Sequence, residues 1–230
     1  MALSGTIAPA AAGGRASDGL TLFDGVLLGE GVDLQPPCVI GQPPRGALHG
    51  ALETRIGTGS VIRAFTVVYA GAVLGERVQT GHGALIREDN VVGDDSSIGT
   101  NVVLEGGCRI GRRVRIHSQS FLERATVGDD VFIGPGVIFT DDPHPPCPKY
   151  VECGQGVIVE ERAKIGGGVV LLPGVTVGAG ALVGGGSVVS RDIPPGTVAV
   201  GNPARVVKGV DELRCFAGFF NRVFEWEDHR

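Results

Sequence analysis

A net charge of −5 over 230 residues, with no run of Lys or Arg, excludes nucleic acid as an expected partner, because phosphate contacts need a basic surface. Glycine supplies 39 residues and aromatics only 5%, a composition suited to many tight corners around a narrow core. The five cysteines, Cys38, Cys108, Cys147, Cys153 and Cys215, are odd in number and scattered, as expected in a reducing cytoplasm.

In chain order, residues 1–22 read as a flexible lead-in. They lack the basic start and following apolar run of a secretion signal. From Leu28 an aliphatic residue then returns at every sixth position. Leu28, Leu34 and Ile40 precede a Pro/Gly-rich gap, after which the register runs Ile56, Ile62, Val68, Leu74, the polar Thr80, Ile86, Val92, Ile98, Leu104, Ile110, Ile116 and Leu122. It slips by one residue to Val127, continues through Ile133 and Phe139, and resumes at Val159, Ile165, Leu171, Val177, Val183 and Val189. A period of six is neither the 3.6 of a helix nor the 2 of an amphipathic strand. Short strands joined at glycine corners, each sending one side chain inward, produce it. Such coils stack about 4.8 Å apart, and many are needed because no single repeat buries its own apolar side. Residues 165–190 carry no charge, but they keep the period and contain Pro173, so they read as coil faces rather than a membrane span.

Two stretches leave the pattern. Between Phe139 and Val159 lies FTDDPHPPCPKYVECGQG, where one repeat would suffice, and its prolines predict a stiff external loop at 140–158 that walls an active site. Residues 208–230 place Leu213, Phe216, Phe220 and Phe224 at helical spacing. They predict a C-terminal α-helix, N-capped by Asp211, covering the last coil or a neighbouring subunit.

From Leu28 to Val207 the repeats resemble those of the hexapeptide-repeat acyltransferases. The resemblance implies an all-β, left-handed parallel β-helix of about eight coils over residues 23–207, a homotrimer, acetyl-CoA as co-substrate and no metal. GPGVIFTDDPHP, with His144 ten residues after Gly134, resembles the galactoside and maltose acetyltransferases, in which the corresponding histidine is the catalytic base. TGHGALIRED resembles the N-acetyltransferases of nucleotide-linked amino sugars. It offers His82 as a second candidate base and Arg87 and Glu88, with Asn101, Glu105 and Asp141, as acceptor contacts. The late coils resemble the acyl-CoA end of these enzymes. There Gly166, Gly185 and Ser187 would lie along the pantetheine arm, and Arg205 and Lys208 would meet the 3′-phosphate.

Periodicity adds an expectation of its own. Tyr69, Arg87, Glu105, Glu123 and Thr140 all take the second position of one side, which predicts an outward ladder leading into the loop. The polar Thr80, at an inward position, marks the coil of His82 as the place to look for a site. For acyl transfer, a histidine with pKa near 6.5 can take the proton of an attacking amine near neutral pH. A backbone N–H at a glycine corner can hold the oxyanion, and a carboxylate such as Glu88 can orient base or substrate.

The function expected is N-acetylation of a nucleotide-linked amino sugar in the cytoplasm, with O-acetylation of a sugar or small acceptor as the alternative and no membrane partner. A metalloenzyme like the γ-type carbonic anhydrases is the rival on the same fold. Against it, His82 and His117 stand two coils apart, about 10 Å, too far to share one ion within a chain. His144, Cys147 and Cys153 form a second metal set, one without a zinc signature.

Overall fold

The computed structural model describes residues 15–17 and 19–225. Val67–Tyr69 lies on the first side of a three-sided coil, Val73–Leu74 on the second and Gln79–Thr80 on the third; Leu85–Ile86 is back on the first, one coil further on. In the regular coils each strand pairs in parallel with the strand eighteen residues away, as in Leu85↔Val67 and Ile86↔Val68. The slip and the two insertions change the spacing but not the pairing, as in Arg115↔Phe132 and Thr126↔Ile158. The result is a left-handed parallel β-helix of about ten turns.

The six-residue period is the period of burial. Val68, Ile86, Leu104, Leu122 and Leu171 on the first side and Ile62, Ile98, Ile133, Ile165 and Val183 on the third are each 0% exposed. On the second, Val177 is 0% and Leu74 and Val92 are 1% exposed, so every side contributes a stacked column of aliphatics to one core. Truncating one of them to alanine should cost about 2–5 kcal/mol, because neighbouring coils, hydrogen-bonded to each other, cannot collapse into the space. Corners must be small where coils touch: a Cβ on Gly81 would lie 2.3 Å from the amide nitrogen of Thr100 in the next coil.

Four expectations change. The solenoid has more turns than the eight counted, because its terminal coils lack the period. Leu20–Leu22 already pairs in parallel with Cys38–Gln42, and Thr197–Val200 with Leu182–Val183. The lead-in therefore ends earlier than residue 22, with Arg15–Ser17 paired antiparallel to Leu20–Leu22, while residues 1–14 lie outside the described residues.

The C-terminal helix is absent among the described residues. Arg205–Gly209 is a strand, Val210–Glu212 a single 3₁₀ turn, and residues 213–225 form turns and bends. Gly218 explains the failure, since its φ of 71° breaks the stretch between Phe216 and Phe220 whatever their spacing. Asp211 therefore caps no α-helix.

Thr80, finally, is a satisfied core hydroxyl. Its Oγ1 accepts the Arg63 N–H at 2.9 Å and lies 3.1 Å from the Thr66 hydroxyl, so its polarity serves the corner and not a site. Residues 165–190 do form coil strands, and among the described residues no helix is long and apolar enough to cross a membrane.

Candidate functional site

The predicted site residues fall on three separate parts of the prism. Arg87, Glu88, Glu105 and Asp141 gather at the edge where the first side turns into the second. His82 and Asn101 stand at the edge where the third side turns into the first. Gly166 and Gly185 follow third-side strands further along the solenoid, at the same edge as His82 but several coils away from it. His82 and Arg87, close in sequence, are thus separated by the width of the first side and share no contact.

The first–second edge carries the ladder. Arg87 fills its fork with Glu88, at 2.9 Å from Nε and 2.8 Å from Nη2, and reaches Glu105 of the next coil at 2.9 Å from Nη1. Its guanidinium lies 5.2 Å from the centre of the Tyr69 ring. Burial pushes the Glu88 carboxyl up, but the hydrogen bonds from Arg87, the group's own backbone N–H and the Arg87 charge together outweigh it and hold the group below its ordinary range. Glu123 continues the column, and at this point the external loop closes over it.

The loop, 140–157, contains one short helix, α1 (Tyr150–Cys153). The Tyr150 hydroxyl sits 2.7 Å from Glu123 and 2.6 Å from Asp141, whose residue is only 2% exposed. Arg124 completes the latch, 3.6 Å from Asp141 and 4.7 Å from the Tyr150 ring centre. One phenolic proton cannot satisfy two carboxylates, so the geometry favours a further proton on the pair. Burial, then the nearby Asp141, push the Glu123 carboxyl up accordingly. The returning chain passes so close to the corner at Arg124 that a Cβ on Gly156 would meet its carbonyl oxygen at 1.9 Å. The one-residue slip before Val127 is this corner.

His144 rides on the loop, exposed, with its backbone N–H donated to Asp142 at 2.9 Å. His82 is also exposed, and its carbonyl accepts the Asn101 N–H at 2.9 Å, so the two predicted residues stack at one corner. Among the described residues no cluster of three His, Cys, Asp or Glu is disposed to hold a metal ion, so His144, Cys147 and Cys153 do not converge as the loop metal set would require.

The third side bears a groove of about 450 Å³. Its floor is Ile165, Gly166, Val183, Gly184 and Gly185; Arg115, Phe132 and Lys164 stand along it, Arg113 and Asp130 bound one edge, and Phe224 of the C-terminal segment folds over it. The Lys164 ammonium lies 4.5 Å from the Phe224 ring centre.

Two of the predicted cofactor residues, Gly166 and Gly185, are in this groove. The others are not. Arg205 and Lys208 are exposed on the last strand of the same side, two strands past Leu182–Val183, or about 10 Å. Ser187 is buried; its hydroxyl donates to the Gly184 carbonyl at 2.6 Å and accepts the Gly201 N–H at 3.0 Å. The basic residues of the groove were missed in the sequence, although Arg115, Phe132, Lys164 and Leu182 form a pairing series that a count carried through the slip and the loop would have aligned.

Comparison with known proteins agrees with this frame. Residues 91–124 and 156–191 match the family model described as bacterial transferase hexapeptide (six repeats). The chain is 36% identical over 91 residues to the galactoside O-acetyltransferase of Escherichia coli, covering 38% of this chain and 45% of that one. It is 31% identical over 192 residues to the bifunctional protein GlmU of Alkalilimnicola ehrlichii, covering 83% of this chain and 37% of that one. The chain spans less than half the length of the curated relatives it matches. Among solved structures, the UDP-N-acetylglucosamine acyltransferase of Campylobacter jejuni shares its fold with a TM-score of 0.57 at 16% identity, covering 82% of this chain and 72% of that one. The matched repeats lie on the coils of the solenoid, so the chain carries the hexapeptide repeat of the bacterial transferases.

Proposed function

We propose that the chain is the protomer of a homotrimeric, acetyl-CoA-dependent acyltransferase of the cytoplasm. In this reading the groove of the third side takes the acyl donor, and the first–second edge of a neighbouring subunit presents the acceptor and the base. One observation carries it. In a three-sided prism the edge that holds the loop and the ladder is opposite the side that holds the groove, so the two halves of a site meet only between chains. The acetyltransferases among the relatives support acyl transfer as the chemistry.

His144 serves as base, because it shares its edge with the Arg87–Glu105 ladder, whereas His82 stands at a different corner. It removes the proton as the acceptor attacks the thioester, a backbone N–H at a glycine corner holds the oxyanion, and the thiolate leaves. Arg115 and Lys164 hold the donor's phosphates, and Gly166 and Gly185 let its arm lie against backbone. The acceptor is the amino group of a nucleotide-linked sugar, with Glu105 and Glu123 as partners for the amine before it reacts. The spacing from Gly134 to His144, which the chain has in common with galactoside acetyltransferases, favours a second reading in which a sugar hydroxyl is acylated.

Subunit mixing tests the shared site. Light scattering should report three chains per particle. His144→Asn and Lys164→Glu proteins should each be inactive with acetyl-CoA and a panel of amino-sugar nucleotides. Unfolding and refolding them together should restore part of the activity, because some interfaces then join an intact loop to an intact groove. Trimers that form but stay inactive on mixing would return the site to a single chain.

A further inference from the structure

Within the external loop two cysteines stand with their sulfurs in contact. The Cys153 thiol donates to Cys147 Sγ at 3.2 Å, and both residues are free and half-buried. The local backbone brings them together: the Cys147 carbonyl accepts the Tyr150 N–H at 3.0 Å, and the Lys149 carbonyl accepts the Cys153 N–H at 3.1 Å. The first cysteine is also tied to the loop's entry, through its N–H to Asp142 at 3.3 Å. Tyr150, whose hydroxyl latches the loop to Glu123 and Asp141, lies between the two. Cys38 and Cys108 are buried in the coils, and burial pushes the Cys108 thiol up to about 11, so neither competes for oxidant.

We propose that Cys147 and Cys153 are a redox clasp, oxidised by a low-molecular-weight disulfide to a bond that locks the loop with Tyr150 in its latch. The Cys147 thiolate attacks one sulfur of the oxidant and expels the other as a thiolate, leaving a mixed disulfide. Cys153 then gives up its proton to solvent and attacks Cys147 Sγ, expelling the second thiolate. Two protein thiols are oxidised, one external disulfide is reduced to two thiols, and no other reactant is needed. Closing from 3.2 Å to the bonded separation of about 2.05 Å moves the sulfurs by about 1 Å, too little to pull Tyr150 away. Oxidation therefore secures the closed loop. Reduction leaves it held by the hydrogen bonds of Tyr150 and the contacts of Arg124 alone.

The test needs no assay of transfer, so it stands apart from the proposed function. Incubation of the full chain with oxidised glutathione should lower its mass by about 2 Da, with one peptide pair linked through Cys147 and Cys153. Trypsin should cut after Lys149, inside the ring, several-fold more slowly in the oxidised protein, and the resulting fragments should stay joined until reductant is added. Cys147→Ser and Cys153→Ser should each abolish the loss of about 2 Da and the protection while keeping the β-type circular dichroism, the Cys153→Ser protein holding instead an unresolved glutathione adduct on Cys147. The proposal is overturned if both cysteines keep stable glutathione adducts, if Cys215 or a second chain supplies the partner sulfur, or if Lys149 is cut equally fast in both states.

Discussion

Two excursions leave the solenoid at the same edge, and they are built differently. The first, 43–53, departs after Cys38–Gln42 and returns at Thr54–Ile56; the second, 140–157, departs after Ile138–Phe139 and returns at Ile158–Val159. Both pass from the first side to the second. The first is stitched mainly by local turns, Ala47 N–H to the Pro44 carbonyl at 3.0 Å and Ala51 N–H to Leu48 at 3.2 Å, and leaves Leu48 81% exposed. The second reaches back across the coils with Tyr150 and a buried Asp141. A corner of a repeat stack tolerates an insertion because each coil is hydrogen-bonded to its neighbours regardless of what happens outside. What distinguishes the second loop is that the charged groups beneath it are arranged to hold it.

The largest expected effect breaks that comparison outright. Replacing residues 141–154 by a short Gly/Ser link should lower transfer at least 10²-fold, the lower range for losing a general base, while the β-type circular dichroism stays. The same replacement of 43–53 should leave both unchanged. Equal losses from the two would mean that the second loop has no chemistry of its own. Next in size is the choice between histidines. His144→Asn should reduce kcat by about 10²–10⁴, with the KM for acetyl-CoA little changed, and His82→Asn should do much less. The opposite ranking would move the base to the third–first edge.

The inward positions of the regular coils were legible in the sequence because burial and the six-residue period are the same fact. Where the period lapsed, so did the reading. The terminal coils went uncounted, and Phe216, Phe220 and Phe224 suggested a helix that Gly218 does not allow. Periodicity also predicted the Tyr69–Arg87–Glu105–Glu123 column correctly, since stacking by eighteen residues is a consequence of the coil. The same count puts His82 at one corner and Arg87 and Glu88 beyond the next strand, Leu85–Ile86, so their closeness along the chain does not make one site of them. The groove was hidden for the opposite reason. Arg115, Phe132 and Lys164 are neighbours in space only after the slip and the loop are removed from the count.

A smaller effect tests the plain coils against the latched one. Thr80→Val keeps the shape of the side chain but leaves the half-buried Arg63 N–H without its acceptor, while the Thr66 hydroxyl keeps only its bond to the Gly81 carbonyl at 3.2 Å. Chemical denaturation should show a loss of about 1–3 kcal/mol, with the slope of the transition unchanged and kcat unaffected. A drop in kcat at full stability would instead give the coil of His82 the site role that its hydrogen bonds argue against.

The smallest expected effect concerns the latch and pH. Glu123 is pushed up from the ordinary value of 4.5, first by burial and then by Asp141, against a hydrogen bond from Tyr150 that works the other way. A carboxyl whose folded pKa exceeds its unfolded one binds its proton more tightly when folded. Its contribution to stability is therefore complete below the unfolded value and disappears as pH rises through the folded one. Glu123→Gln keeps the neutral form at every pH, with an amide in place of the carboxyl that can still meet the Tyr150 hydroxyl and Asp141. The Tm of the wild type should thus fall relative to that of the variant as pH rises from about 4.5 toward neutrality. A gap that stayed constant, or that widened toward acid, would mean that Glu123 is ionised throughout and that the phenolic proton is shared without a second one.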